Sequence, residues 1–329
     1  MSELPLHYPR SVRARMFDGV DACPVLPYDQ PPAKACGGRG GMKRSFSFSG
    51  AQDKYSMVLD GTTLRYRQDG EVGSYIMKPC PADAYMTHRK DAPANEQLCM
   101  EIARLVFRLP TAACALCRFG NGEPAYLTRR FDRTPGGNLH MEDFAALTGI
   151  PGGNSGAKYK GSYEQLAATL KQCSTAAKPD TLRLFRTVLL NYLLCNGDAH
   201  LKNFALLGDS NRSMVLAPAY DLMNTRLHVN DDDFALDCGL FADGRPATGG
   251  MASHFTEWAK AIGIPSGSAE RIIQTALDSQ PRVEAMVQES ALSRKAQKAF
   301  LLTTRVRFKN LRTGLINPRC ARASAGKGQ

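Results

Sequence analysis

The chain has 329 residues, 43% of them hydrophobic, and 42 Lys and Arg against 31 Asp and Glu give a formal charge of +11. That length and apolar content suit one large bilobal unit or two domains, and they exclude a disordered chain or a disulfide-stapled miniprotein. No apolar run approaches the roughly 20 residues that cross a bilayer, and no charged leader opens the chain, so a cytosolic protein with mostly free thiols is expected.

The first 44 residues, with VLPYDQPP and CGGRGG, are rich in Pro and Gly and are expected to be extended segments and loops. YSMVLDGTTLRYR alternates apolar and polar residues around Asp60-Gly61, a β-hairpin signal, and SYIMK at 74–78 reads as a further strand. APANEQLCMEIARLVF carries Leu98, Ile102, Leu105 and Val106 at helical spacing. TAACALCRF and PAYLTRRFD read as two more strands. Cys114 and Cys117 in CALC lack a second CxxC or a His pair, so zinc is not expected there. From His140 onward the pattern is helical: MEDFAALTGI, SYEQLAATLKQC, TLRLFRTVLLNYLLC, EWAKAIGI, AERIIQTALDS and a basic terminal helix. The expected fold class is α+β, a two-lobed protein-kinase-like fold. Residues 1–44 form an N-terminal extended segment, 45–133 a mainly β nucleotide-binding lobe with one helix, and 134–329 an all-α C-terminal lobe.

The positive charge is concentrated at the end: ten basic residues and no acidic one follow Glu289. Apolar Ala299, Phe300, Leu301, Val306, Phe308 and Leu311 in the same stretch predict a folded helix with one cationic face, either solvated or in contact with a polyanion.

A chemical constellation follows the longest apolar run. In NGDAHLKNF, Asp198 and Asn203 are separated by four residues, as are the catalytic Asp and metal-binding Asn of a kinase catalytic loop. One carboxylate can accept or orient the proton of an attacking hydroxyl, and a carboxamide oxygen within reach can help hold Mg²⁺ against phosphates. Asp221 in APAYDLMN supplies the second carboxylate that bridges metal and nucleotide. Lys78 ends a strand and Glu96 begins the next helix, the pair that fixes α- and β-phosphates in kinases, although a surface Lys and a dipole-favoured Glu would look the same. Lys202 places a cation where it would steady a γ-phosphate. His200 reads first as a structural hydrogen-bonding residue and second as a nucleotide contact. RSFSFSGAQDK has no GxGxxG, so a phosphate-cradling loop there rests on Ser49, Gly50 and Ala51 and their backbone N–H groups.

SFSGAQDK, YIMKP, ANEQLCMEIAR, RRFDR, HMEDFAALTGI, KYKGSYEQL, NGDAHLKNF and LAPAYDLMN resemble, in this order, the motif series of HipA-type Ser/Thr kinases, the toxin components of bacterial toxin–antitoxin systems. The resemblance covers roughly residues 44 to 225. It implies ATP-dependent, Mg²⁺-assisted phosphorylation of a protein, commonly an aminoacyl-tRNA synthetase, with arrest of translation and growth. Carried over motif by motif, it implies Asp198 as catalytic base with Lys202 beside it, and Asn203 and Asp221 as metal ligands. It also implies a nucleotide site built from Ser49, Gly50, Ala51, Gln52, Asp53, Lys54, Lys78, Glu96, His200, Asn203, Tyr220 and Asp221, with Arg129, Arg130 and Phe131 as the hinge against adenine. An Arg at 129, where full-length HipA is acidic, departs from the pattern. Full-length HipA proteins carry about a hundred residues before the Ser-Gly loop and this chain 44, so it is most similar to HipT, the short kinase of three-component HipBST systems. That similarity implies autophosphorylation at Ser47 or Ser49, where added charge would expel the loop from ATP. Its implied partners are a small HipS-like antitoxin supplying the missing subdomain and a HipB-like DNA-binding antitoxin, with DNA met through that complex and no membrane. A small-molecule kinase, or a mainly non-catalytic subunit of a DNA-bound repressor complex, are the other readings of the same residues.

Overall fold

The computed structural model of the chain describes residues 7–32, 52–134, 136–150, 156–209 and 213–313. The expected Ser47, Ser49, Gly50 and Ala51 lie outside the described residues.

The N-terminal lobe is one antiparallel sheet of five strands, β1 (Tyr55–Asp60), β2 (Thr63–Tyr66), β3 (Tyr75–Pro79), β4 (Cys114–Arg118) and β5 (Pro124–Arg129), in the order β2-β1-β3-β5-β4. β1 and β2 form the expected hairpin, which turns at Gly61 with φ +58°, a conformation open to glycine at no steric cost. Alternation then divides the side chains between two faces. Met57, Leu64, Tyr75, Met77, Ala115, Cys117, Ala125 and Leu127 share one buried cluster. Ile76, Lys78, Tyr126 and Thr128 point the other way, towards α2 (Ala92–Leu105) and the cavity described below.

The first of these faces is covered by a helix that the Pro- and Gly-rich start of the chain did not predict. Residues 10–17 form α1 (Arg10–Phe17), which drives Met16 and Phe17 into the sheet. Its apolar face is only Val12, Met16 and Phe17 among three arginines, too little for a clear 3.6-residue pattern, and tertiary bonds help to hold it. The Tyr75 hydroxyl donates to the Met16 carbonyl at 2.9 Å, Arg129 forks onto Asp18 just past the helix, and the Tyr8 hydroxyl just before it donates to the Leu116 carbonyl.

The C-terminal part is built on α4 (Tyr163–Cys173), opened by a Ser162/Gln165 capping box, and the long α5 (Ala177–Leu193). Around them pack α6 (Met251–Ala261), α7 (Ser266–Asp278), α8 (Gln280–Glu289) and α9 (Arg294–Thr313). The lobe is mainly helical, yet it also carries short strands. MEDFAAL, read as helix, splits into β8 (His140–Asp143) and a four-residue α3 (Phe144–Leu147), after the small β6 (Arg133–Thr134) and β7 (Gly137–Asn138). β8 pairs with β9 (Ala205–Gly208), which turns back into β10 (Met214–Leu216). This ribbon carries the chain from Asn203 round to Asp221. On α9, Phe300, Phe308 and Leu311 are buried as expected, whereas Val306 faces outward and Arg307 is buried against Asp233 and the Tyr192 ring.

One hydrophobic cluster spans both lobes, running from Leu98, Ile102 and Tyr126 through Leu184, Val188 and Leu193 to Trp258 and Phe300. A polar seam reinforces it. Asp91, at the start of α2, accepts from the Ser293 N–H at 2.6 Å and hydroxyl at 2.9 Å, at the start of α9. Beside it, buried His228 lies with Nδ1 2.9 Å from the Thr87 carbonyl oxygen, and burial pushes its pKa down to about 4 against the opposing pull of that Thr87 bond. An imidazole whose folded pKa is depressed adds stability above its unfolded pKa near 6.5 and loses it as pH falls through the folded value. Stability measured by urea unfolding is expected to drop by about 3 kcal/mol from this residue between pH 7 and pH 4, a component that His228→Gln removes.

Candidate active site

The elements meet at a cavity of about 510 Å³ roofed by the sheet face that bears Lys78 and floored by the loops after α5 and β10. Strand alternation delivers the Lys78 ammonium to this face, and α2 presents Glu96, 1% exposed, from behind. Lys78 Nζ lies 2.7 Å from Glu96 Oε1 and 2.5 Å from Asp221 Oδ1. Burial disfavours the ammonium, but the two carboxylates outweigh it and hold the Lys78 pKa above its ordinary value. Asp221 feels the reverse: burial raises its pKa, and Lys78 overrides this to bring it to about 2. Glu96 is more deeply enclosed, and desolvation lifts it to about 7 despite the same cation. Its Oε2 is buried without a hydrogen-bond partner.

The loop from α5 begins with Cys195 in the left-handed region, φ +59°, which turns the chain sharply out of the helix. Gly197 is required next, because a Cβ there would lie 2.5 Å from Asp231 Cγ and 2.6 Å from the Asp232 carbonyl oxygen. A single turn at Leu201–Asn203 is closed by the His200 N–H donating to Asn203 Oδ1 at 3.1 Å. Asn203 Nδ2 in turn donates to Asp221 Oδ2 at 2.8 Å, so two residues 18 positions apart meet side by side. Asp221 also has positive φ, +60°, a conformation that costs most residues energy and that Asp tolerates better than most.

Of the residues singled out by sequence, Lys54, Lys78, Glu96, Arg129, Arg130, Phe131, His200, Lys202, Asn203, Tyr220 and Asp221 line this cavity. Gln52 and Asp198 line an adjoining cleft with Lys78, Asn203 and Asp221. Asp53 lines neither. The hinge residues separate in character. Arg129 is committed to Asp18 and Arg130 to Asp132, while the Phe131 ring sits 5.7 Å from that of Tyr220, an apolar end suited to a planar base. His200 is 3% exposed and packs edge-on against Tyr159, and burial, with Lys158 second, lowers its pKa to about 4. It is thus neutral.

Two residues were missed individually although their motif, KYKGSYEQL, was visible. The Tyr159 hydroxyl donates to Asp198 Oδ1 at 2.5 Å, and Lys158, buried beside it, lines the cavity between Asp198 and Asp221. A single-turn helix at Ala157–Tyr159 brings both in, and no local periodicity announces that. Asp198 itself stands where the adjoining cleft meets a second groove of about 840 Å³ walled by Tyr159, Phe234 and Arg245.

The donor set of Asp221 and Asn203 is all oxygen on the acceptor side, one carboxylate and one carboxamide beside a cavity. This suits Mg²⁺, which keeps several waters and substrate oxygens rather than a full protein cage. Among the described residues no group of three or more His, Cys, Asp or Glu is placed to hold a metal ion by itself.

Comparison with known proteins decides the family. The profile of the HipA-like C-terminal domain matches residues 46–284. The chain belongs to this family. Two proteins of Sinorhizobium fredii that carry provisional kinase names are related to it in sequence: Y4dM, 34% identical over 205 residues, and Y4mE, 27% identical over 282 residues. The alignments take in 58% of the chain and 47% of Y4dM, and 84% of the chain and 62% of Y4mE, so the chain spans about half to three-fifths of these relatives' length. Its fold is also that of HipA from Shewanella oneidensis MR-1, solved with HipB and operator DNA (TM-score 0.61, 18% identity, 86% of this chain and 67% of that one). The proinflammatory kinase CtkA of Helicobacter pylori shares it too (TM-score 0.52, 14% identity, 79% of this chain and 94% of that one). The HipA-like chain thus has a kinase-like two-lobed fold.

Replacing Lys78 by Met strands the buried carboxylate of Glu96 and the half-buried one of Asp221. Chemical denaturation at pH 8 is expected to show a loss of about 3–5 kcal/mol. The loss should shrink towards pH 5, since a carboxyl with a raised folded pKa contributes stability when protonated and loses it as pH rises, and the double variant Lys78→Met, Glu96→Gln should recover much of it.

Proposed function

We propose that this chain is a Mg-ATP-dependent serine/threonine protein kinase, the toxin of a toxin–antitoxin system. The observation that carries the proposal is the convergence of Lys78, Glu96, Asn203 and Asp221 on one cavity, with Asp198 at its exit. Lys78, steadied by Glu96, would grip the α- and β-phosphates, and the ring pair of Phe131 and Tyr220 would receive the base. Asn203 and Asp221 would hold Mg²⁺, which when bound neutralises phosphate charge and orients the triphosphate. Asp198 orients the acceptor hydroxyl and takes its proton, while Lys202 and Lys158 supply positive charge where the transferred group would pass. Tyr159 fixes one oxygen of Asp198.

The groove on the acceptor side of Asp198 is larger than the nucleotide cavity, which favours a polypeptide acceptor over a small molecule. The family resemblance further supports a translation protein, an aminoacyl-tRNA synthetase, as that acceptor, with autophosphorylation at Ser47 or Ser49 as the off-switch. The HipA neighbour was solved with HipB and DNA, and this supports a HipB-like antitoxin as partner here, with the basic face of α9 available to phosphates of bound DNA, while a HipS-like partner rests on the family resemblance. The reading as a mainly non-catalytic repressor subunit requires salt-sensitive DNA binding that survives loss of Asp198.

Incubation of the purified chain with γ-labelled ATP, Mg²⁺ and cell extract is expected to label a discrete protein band. Asp198→Asn should lower that rate by about 10²–10⁴-fold with nucleotide affinity retained. Label confined to small molecules, or equal in the Asp198 variant, would overturn the assignment. Tyr159→Phe, which removes only the hydroxyl, should slow transfer about tenfold in single-turnover assays while the Kd for ATP stays within about twofold.

A further inference from the structure

Asn95 stands one position before Glu96 on α2 and is fully sealed from solvent, yet nothing in the chemistry above uses it. Successive helix residues point about 100° apart. Glu96 therefore faces Lys78 while Asn95 faces the segment that follows Asp221. There its carboxamide pairs with the backbone of Asn224 in both directions: Oδ1 accepts from the Asn224 N–H at 3.1 Å, and Nδ2 donates to the Asn224 carbonyl at 2.9 Å. The second Nδ2 proton faces His228 Nε2 at 2.8 Å. The other imidazole nitrogen, Nδ1, lies 2.9 Å from the Thr87 carbonyl, which can only accept, so Nδ1 carries the proton and Nε2 is left as an acceptor for Asn95. The Cys99 thiol donates to Asn95 Oδ1 at 3.4 Å, which completes the hydrogen-bonding capacity of the amide. Asn224 is in turn anchored by its side chain, which donates to Thr303 Oγ1 on α9 at 3.0 Å.

Asn95, Cys99, Asn224 and His228 are buried, so a bond broken among them leaves a polar atom without water, and these four residues hold together or fail together. Its geometry matters because it ties together the two elements that carry the carboxylates flanking Lys78. Glu96 is the neighbour of Asn95, and Asp221 lies three positions before Asn224. We infer that Asn95 and His228 are positioning residues: they clamp α2 onto the segment after Asp221, so that Glu96, Lys78 and Asp221 are assembled before nucleotide arrives. A kinase-like site can be gated by moving the helix that bears the glutamate. Here that helix is bolted to the metal-ligand segment and, through Asn224 and Asp91, to α9, so control of this enzyme acts elsewhere than on α2.

The inference rests on the kinase reading for its activity readout, and hydrogen exchange of α2 tests it without activity. Full-length Asn95→Ala, His228→Leu and His228→Gln are compared with the wild type by circular dichroism, amide exchange and steady-state kinetics. Asn95→Ala and His228→Leu are expected to keep the fold, to exchange α2 amides at least about tenfold faster and to lose about 10–100-fold in kcat, with KM for ATP within about threefold. His228→Gln retains one donor and one acceptor and should stay within about threefold of wild type in both readouts. If Asn95→Ala does not fold, the two His228 variants decide. The clamp is refuted by folded variants whose α2 exchange and kcat match wild type, or by His228→Gln being as impaired as His228→Leu. A wild type inactive towards every acceptor, with α2 exchange still accelerated in the variants, would instead sink the kinase reading and leave the clamp standing.

Discussion

A lysine ammonium held between a buried and a half-buried carboxylate organises this protein. Lys78 bridges Glu96 on the helix of the N-terminal lobe and Asp221 on a segment of the C-terminal lobe, 143 positions further along the chain. Desolvating three charges is costly, and such a triad persists only where geometry and further hydrogen bonds compensate. Asn203 supplies one of these bonds to Asp221, and the core that joins the lobes supplies the rigidity. The unequal pull on the two acids follows from the same geometry. Asp221, closest to the cation, stays ionised and fit to meet a metal, whereas Glu96, further from relief, sits near neutrality.

Much of this was readable from the chain itself. Alternation in YSMVLDGTTLRYR and PAYLTRRFD gave the N-terminal sheet, and alternation also dictates that Lys78 shares a face with Tyr126 and Thr128 rather than with Met77. The four-residue gap between Asp198 and Asn203 matters because a single helical turn then places the carboxamide beside Asp221. These signals are local, set by φ and ψ and by side-chain period.

What escaped was held by distant partners. α1, RSVRARMF, has a short apolar face and three arginines, its stability comes from Tyr75, Arg129 and the sheet, and the Pro and Gly of the surrounding segment mask what little period it has. HMED and FAAL run together as one apolar pattern, and only the backbone of β9 makes the first four residues a strand. Tyr159 meets Asp198 across 39 positions through one turn of helix. Arg129, next to the aromatic hinge in sequence, is drawn off to Asp18, and no reading of RRFDR alone would reveal that.

The backbone at Asp221 has a practical consequence for anyone who wishes to silence this protein. With φ at +60°, the position favours Asp, Asn or Gly and penalises a bare β-carbon. Alanine there would remove the carboxylate that meets Lys78 and Asn203 and also push the main chain towards another basin. Asparagine keeps the left-handed turn and takes away the charge alone, so it is the substitution that separates loss of chemistry from loss of shape.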